Sequence, residues 1–319
     1  MLGILSLVAP VFGLIALGFA AAKLRYMSDG AARVVNELGY KVAMPALLFR
    51  AMLAVGEVPV SPLWLVASYL SGIALIWTLA TVMAVAVLRR PAIDAPSIAM
   101  GACFSNGVML GFPIIITAFG PEAATPMAFL ATCETFFLWL IATAHFAVAH
   151  RGVRSLSLGM VGGVIGDIAR NPLIVAIAAG LACRYAGLTV PELPAKLIGL
   201  LAAAAVTVSL FGLGMSLAAY EIKGQSQTIT VILLLKMMIY PIAALALATE
   251  VFKLPPLWAG VLVVYVAMPV GANAFVFASR TERAIASVSA AVAISTMLAV
   301  VTVTGALAVL EMMVFMKPV

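Results

Sequence analysis

Ten apolar stretches follow one another along this chain, separated by only a few polar or turn-forming residues. A bilayer core takes about 20 apolar residues per helix. On that ruler the stretches are 2–24, 31–54, 62–88, 95–119, 123–149, 171–187, 195–219, 227–252, 257–279 and 284–314. Turn signals fill the gaps: Ser28-Asp29-Gly30, Val58-Pro59, Arg89-Arg90-Pro91, Gly120-Pro121, Arg151-Gly152, Val190-Pro191, Lys223-Gly224 and Leu254-Pro255-Pro256. Such a pattern predicts an all-α polytopic membrane protein with ten transmembrane helices.

Composition removes the water-soluble alternative. Only 9% of the residues are charged, against roughly 25% in soluble domains. The net charge of +6 does not indicate nucleic acid, because the basic residues sit in short loops as membrane topology places them. Cys103, Cys133 and Cys183 lie in apolar stretches without CxxC spacing, so they read as packing residues. The first stretch lacks a small-residue cleavage site after a short core and reads as a retained helix.

Lys and Arg set the orientation. With the N-terminus outside, the inner loops and helix ends hold Lys23, Arg25, Arg33, Arg89, Arg90, Arg151, Arg154, Arg170, Lys223, Arg280 and Arg283. The outer side holds only Arg184, Lys196, Lys253 and Lys317. This bias predicts both termini outside.

Two of the ten helices are interrupted. The fourth contains Ser105-Asn106-Gly107-Val108-Met109-Leu110-Gly111-Phe112-Pro113, and the ninth contains Met268-Pro269-Val270-Gly271-Ala272-Asn273. Broken helices are tolerated at membrane depth only where protein or a wet cavity re-satisfies the backbone. In matching halves of a chain they point to a transporter binding site. The halves do match: Pro10 and Pro172, Gly18 and Gly180, and Phe49 and Phe211 each stand 162 residues apart. An odd number of spans per half requires the second to enter inverted. The expected organisation is a first five-helix repeat at 1–150, a short cytoplasmic connection at 151–170, and a second repeat at 171–319.

A break near Gly111-Phe112 places Pro113 at the start of a new half-helix, where proline is favoured, and Pro269 plays the same part in the ninth span. Half-helices that start at the membrane centre present N–H groups and partial positive charge. Two such ends facing one cavity favour an anion. The substrate-binding candidates are therefore Ser105, Asn106, Gly107, Gly111, Pro113, Pro269, Gly271 and Asn273. The blander reading is that the prolines only kink helices and the asparagines bond across them.

Two charges lie within spans near mid-depth. Glu134 is about 12 residues into span five, where a charge costs about 2.5–3.5 kcal/mol and has to be paired, wet or protonated. It is a proton or cation carrier, or else a neutral acid bonding between helices. Lys236, in span eight, pairs with a substrate carboxylate or with Glu134, or it snorkels to the inner face. Glu37 and Lys41 have the spacing and order of a helix-surface ion pair. His145 and His150 lack an acid or cysteine to complete a metal site. Ser209 with Gly212, Gly214 and Ser216 lacks a GxSG elbow and reads as close helix packing. No Walker loop is present.

The ordered motifs resemble the auxin efflux carrier family, which includes plant PIN carriers and bacterial carboxylate permeases. They are Ala9-Pro10-Val11-Phe12 with Gly18; Met44-Pro45-Ala46-Leu47-Leu48-Phe49; Ser105-Asn106 with Gly111-Phe112-Pro113; Asn171-Pro172; Leu210-Phe211-Gly212-Leu213-Gly214; Lys236 ahead of Pro241; and Met268-Pro269 with Asn273-Ala274-Phe275. The resemblance implies that helices four and nine cross at their prolines beside the substrate. It implies a dimerising scaffold of helices one, two, six and seven, carrying Pro45, Gly212 and Gly214, and a mobile transport domain of the rest. The function it implies is secondary active transport of small organic anions, mono- or dicarboxylates or auxin-like weak acids, across a bacterial-type cytoplasmic membrane by an elevator motion. No cofactor is expected, and H⁺ or Na⁺ is the coupling ion. The alternatives are an intramembrane enzyme using Glu134, Lys236 or Ser209, and an anion channel or receptor.

Overall fold

The structure is a computed structural model that describes residues 2–28, 30–54, 61–151, 158–218 and 223–313. Its helices are α1 (Leu2–Lys23), α2 (Ala31–Leu38), α3 (Met44–Leu53), α4 (Pro62–Val82), α5 (Ala95–Cys103), α6 (Phe112–Phe119), α7 (Ala124–Arg151), α8 (Leu158–Ala169), α9 (Pro172–Tyr185), α10 (Glu192–Leu217), α11 (Ser226–Leu234), α12 (Tyr240–Ala246), α13 (Pro256–Ala267), α14 (Ala272–Thr281) and α15 (Ile285–Met312). Five-residue π turns at Gly39–Ala43, Gly107–Gly111 and Leu235–Ile239 join α2 to α3, precede α6, and join α11 to α12. Among the described residues there is no strand, only an isolated antiparallel bridge between Ser105 and Val270.

Among the described residues, five continuous helices are long and apolar enough to cross a membrane: Pro62–Val87, Pro121–His150, Glu192–Leu217, Ser226–Val251 and Ile285–Met312. Four shorter apolar helices accompany them: Val8–Lys23, Gly107–Phe119, Pro172–Tyr185 and Pro256–Ala267. The chain is thus an all-helical polytopic membrane protein. Within 151–170, expected as the short cytoplasmic connection, lies α8. The turn and charge assignments at Asp29, Val58, Pro59, Gly152, Arg154 and Lys317 lie outside the described residues.

Helices α1, α2, α3, α9 and α10 pack on one another through glycines that let backbones touch. A Cβ on Gly18 would lie 2.0 Å from the Phe211 carbonyl oxygen, and one on Gly180 would lie 2.7 Å from that of Phe49. These are the glycines and phenylalanines related by the 162-residue offset, and they meet crosswise. Gly214 presses on the Ile15 carbonyl in the same way. Gly212 faces Asn36, whose Nδ2 donates to the Gly212 carbonyl at 3.0 Å and to Ser216 Oγ at 2.7 Å. Gly18→Ala is therefore expected to force α1 off α10 and cost about 1–3 kcal/mol. Gly13→Ala, with nothing within 4 Å of its Cβ, is the neutral control. Melting temperatures in detergent check the pair.

The remaining helices form a second body whose largest fully buried side chains include Tyr69, Lys236, Tyr240, Trp258 and Tyr265. At one end Asp94 accepts from Arg90 at 2.7 Å and lies 3.9 Å from Arg283. Ser97 and Thr281 are hydrogen-bonded at 3.1 Å. These contacts fasten the start of α5 to the end of α14 and the turn after it. The exposed Glu37–Lys41 ion pair forms as its spacing predicts.

Candidate functional site

Two helix breaks meet in the middle of the second body. After α5 the chain turns extended at Phe104 (φ −72°, ψ 123°) and is neither helical nor extended at Asn106 (φ −78°, ψ 49°) before the π turn at Gly107. Ser-Asn-Gly supplies the local chemistry, since Ser and Asn compete for backbone groups and Gly yields readily. After α13 the chain is extended at Met268 (φ −59°, ψ 150°) and Gly271 (φ −77°, ψ 150°). Pro269 forces this, because the residue before a proline is driven out of the helical region. The fourth-span break therefore precedes its expected place at Gly111-Phe112. Gly111 ends a π turn and Pro113 is the second residue of α6. Pro269 likewise lies within the extended segment and does not open α14.

The breaks satisfy each other. Asn106 N–H donates to the Pro269 carbonyl at 2.8 Å, and Gly271 N–H donates to the Phe104 carbonyl at 3.0 Å. Side chains take up the backbone groups left over, as a low-dielectric interior demands. Glu134 Oε1 on α7 accepts Ser105 N–H at 2.8 Å, and Ser295 Oγ on α15 accepts Val270 N–H at 3.0 Å. Lys236 Nζ donates to the Cys103 carbonyl at 3.3 Å, the Val266 carbonyl at 3.0 Å and Ser105 Oγ at 2.6 Å. Its side chain is 0% exposed, so it does not snorkel. The ammonium sits instead where α5 and α13 end, beside the negative poles of both.

Glu134 is 2% exposed. Besides Ser105 N–H it accepts the hydroxyls of Tyr69 at 2.9 Å and Tyr265 at 2.7 Å. Those rings meet edge to face at 6.0 Å. Ser105 is thus held by both buried charges, through its N–H by Glu134 and through its hydroxyl by Lys236.

Beside this crossing opens a cavity of about 450 Å³, within the range of small-molecule sites. The crossing contributes Ser105, Asn106, Gly271, Ala272 and Asn273, together with Glu134 from α7. Of the other sequence-derived candidates, Gly107, Gly111, Pro113, Pro269 and Lys236 lie off the cavity wall. Gly107 makes room for the Tyr265 ring, and Gly111 for Met268. The opposite wall belongs to the first body: Arg33, Asn36, Tyr40, Leu173, Leu213 and Ser216. Arg33, Asn36 and Tyr40 are absent from the sequence-derived candidates. Their spacing of three and four puts them on one helix face, and that polar face in an otherwise apolar span is the available signal. Pro45 is the second residue of α3, and Gly212 and Gly214 are contact glycines behind the wall.

The other polar candidates take ordinary structural roles. Trp77 Nε1 donates to His145 Nδ1 at 3.2 Å, and His150 stacks on Phe146. Among the described residues no three His, Cys, Asp or Glu side chains gather as a metal site. Ser209 is buried against Gly39.

The pairing of two broken helices around a cavity with an apolar majority of wall residues is the geometry of a carrier. Comparison with known proteins agrees. The chain is 29% identical over 311 residues to a protein of Rhizobium meliloti (strain 1021) described as a "Putative malonate transporter", with 95% of each chain covered. A family model described as "Membrane transport protein" matches residues 4–307. These matches point to a transporter rather than an enzyme, and the chain belongs to this membrane transport protein family, the one its auxin-efflux-carrier motifs resemble.

Proposed function

We propose that the chain is a secondary active transporter of small organic anions, carboxylates above all, and that the anion binds in the cavity beside the crossing. The observation that carries this is the start of α14. Its first-turn residues Ala272 and Asn273 line the cavity, where backbone N–H groups lack intrahelical acceptors. Asn106 adds a side-chain amide; the residue is 8% exposed, and the amide makes no hydrogen bond among the described residues. The malonate named for the Rhizobium relative is one anion of this class.

The alternating-access reading has its own support. The Gly18–Phe211 and Gly180–Phe49 contacts exchange under one offset, as an inverted repeat of five spans each demands. Ten spans, with α5/α6 as the fourth and α13/α14 as the ninth, fit the helix order. The first body then serves as a scaffold and dimerising unit in a bacterial-type cytoplasmic membrane, and the second carries the crossing past it as an elevator. Lysine and arginine positions argue for both termini outside. The cavity, between the Arg33 end of α2 and the first turns of α14, then opens inward. Glu134, on the cavity wall, is the residue placed to carry a coupling proton. The crossing oxygens that would hold Na⁺ are bonded to the Lys236 ammonium.

Flux in proteoliposomes with a carboxylate panel tests this. Wild-type protein is expected to move at least one short carboxylate. Asn273→Ala and Asn106→Ala are each expected to weaken its binding by about ten-fold, the worth of one hydrogen bond to a charged group. Movement of no anion, or unchanged binding in both variants, overturns the reading.

A further inference from the structure

The cavity has two polar ends. One is the crossing, with Ser105, Asn106 and Asn273. The other lies across the cavity on α2 and α10, where Arg33, Asn36 and Ser216 line the wall. Val108, Met109, Leu213, Phe275, Val276 and Val292 also line it, so the wall is largely apolar. A ligand with a single carboxylate uses one end and leaves the other solvated. A ligand with two carboxylates and a short carbon spacer uses both.

Among the described residues Arg33 is the one cation on the cavity wall. It occupies the first turn of α2, where the helix dipole disfavours a positive charge. Its guanidinium makes no close ion pair among the described residues: Glu37, one turn on, is bonded to Lys41 and interacts with Arg33 only at longer range. The helix dipole does not favour a cation at this place, and the inner-side charge bias does not require one on the cavity wall. A guanidinium facing a cavity presents a fork of donors matched to a carboxylate. The acid on the same wall, Glu134, is already supplied with three donors. Arg33 is thus left to act on whatever enters. At the crossing end, the Asn106 amide belongs to a residue more than nine-tenths buried and has no hydrogen-bond partner among the described residues. It awaits a ligand independently of Arg33.

We infer that Arg33 forms a second anion subsite facing the crossing and selects dicarboxylates over monocarboxylates. This rests on the transport site proposed above. One carboxylate sits at the crossing amides and the start of α14, and the second is taken by Arg33 from the opposite body. The dianion thereby touches both bodies at once, whereas a monocarboxylate touches chiefly the crossing.

The test compares binding of malonate, succinate and propionate to wild-type protein, Arg33→Gln and Arg33→Lys, by calorimetry in detergent at fixed ionic strength. Arg33 is exposed, and an unchanged melting temperature confirms that each variant is folded. Wild-type protein is expected to prefer one dicarboxylate over propionate by about ten-fold or more, the worth of a charge-assisted bond. Arg33→Gln is expected to remove that preference while leaving propionate within about two-fold. Arg33→Lys, which keeps the charge but not the fork, is expected to restore part of it. Equal wild-type affinity for propionate and the dicarboxylates overturns the Arg33 inference alone. So does a preference that survives Arg33→Gln, or an equal loss for all three ligands. Binding of none of the anions to wild-type protein overturns the transport-site proposal, and this inference with it.

Discussion

Lys236→Met is expected to cause the largest loss of stability of any single substitution at the crossing. Methionine fills the space but donates nothing. The buried Cys103 and Val266 carbonyls lose a partner, Ser105 Oγ loses its donor, and the Glu134 carboxylate loses the opposite charge bonded to the same residue. Removing one member of a buried ionic cluster costs about 3–5 kcal/mol, because the other is left behind. Total stabilities are only about 5–15 kcal/mol. The expected result is a melting temperature lowered by many degrees in detergent, with transport lost in whatever protein survives. The double variant Lys236→Met with Glu134→Gln leaves no uncompensated charge, so it is expected to recover part of the stability and none of the flux. A wild-type melting profile for Lys236→Met would show that the ammonium does not hold the crossing together.

The second large effect is expected at Gly271. Its backbone, φ −77° and ψ 150°, suits any residue, so alanine introduces no conformational strain. The obstacle is steric. A Cβ there would sit 2.7 Å from the Ser105 carbonyl oxygen and 2.8 Å from the Phe104 ring. The carbonyl belongs to the opposing break and cannot swing aside without opening the bridge. Gly271→Ala drives the two breaks apart and weakens the Gly271 N–H bond to Phe104. Overpacking of this kind costs about 1–3 kcal/mol, or about 5- to 150-fold if it falls wholly on substrate binding. Substrate affinity and flux are expected to fall together. Gly305→Ala, with nothing within 4 Å, is expected to behave as wild type.

Both effects concern a feature that is half legible in the sequence. Proline and glycine inside apolar stretches announce that two helices break. Where they break is harder to read, because Pro113 is a louder signal than Ser105-Asn106-Gly107. Proline ends a helix most surely through the residue before it, as at Met268. A proline within the first turn, as at Pro113, marks no break. Glu134 stands out by its depth, but its partners Tyr69, Ser105 and Tyr265 are distant in sequence and nothing local ties them to it. Lys236 stands out in the sequence too, but which partners it takes is not legible there for the same reason. Snorkelling is the fate of an isolated lysine, and only the fold reveals that two helix ends from different halves of the chain converge on it. The 162-residue offset is legible in the sequence, but that Gly18 meets Phe211 and Gly180 meets Phe49 is seen only in the fold.

Glu134 and Lys236 also have an electrical consequence. A charge carried across a membrane exchanges about 2.3 kcal/mol per 100 mV with the potential. An ammonium alone in a moving body would add that amount to every stroke, loaded or empty. Here a carboxylate and an ammonium grip the two sides of one serine. Such a pair enters the field as a short dipole with no net charge. In the proposed motion the empty return stroke, with Glu134 ionised, is then nearly indifferent to voltage, and on the loaded stroke the field acts on the charge of the dicarboxylate less that of the proton held by Glu134. The membrane potential reads the cargo, anion and proton together, and not the empty machinery.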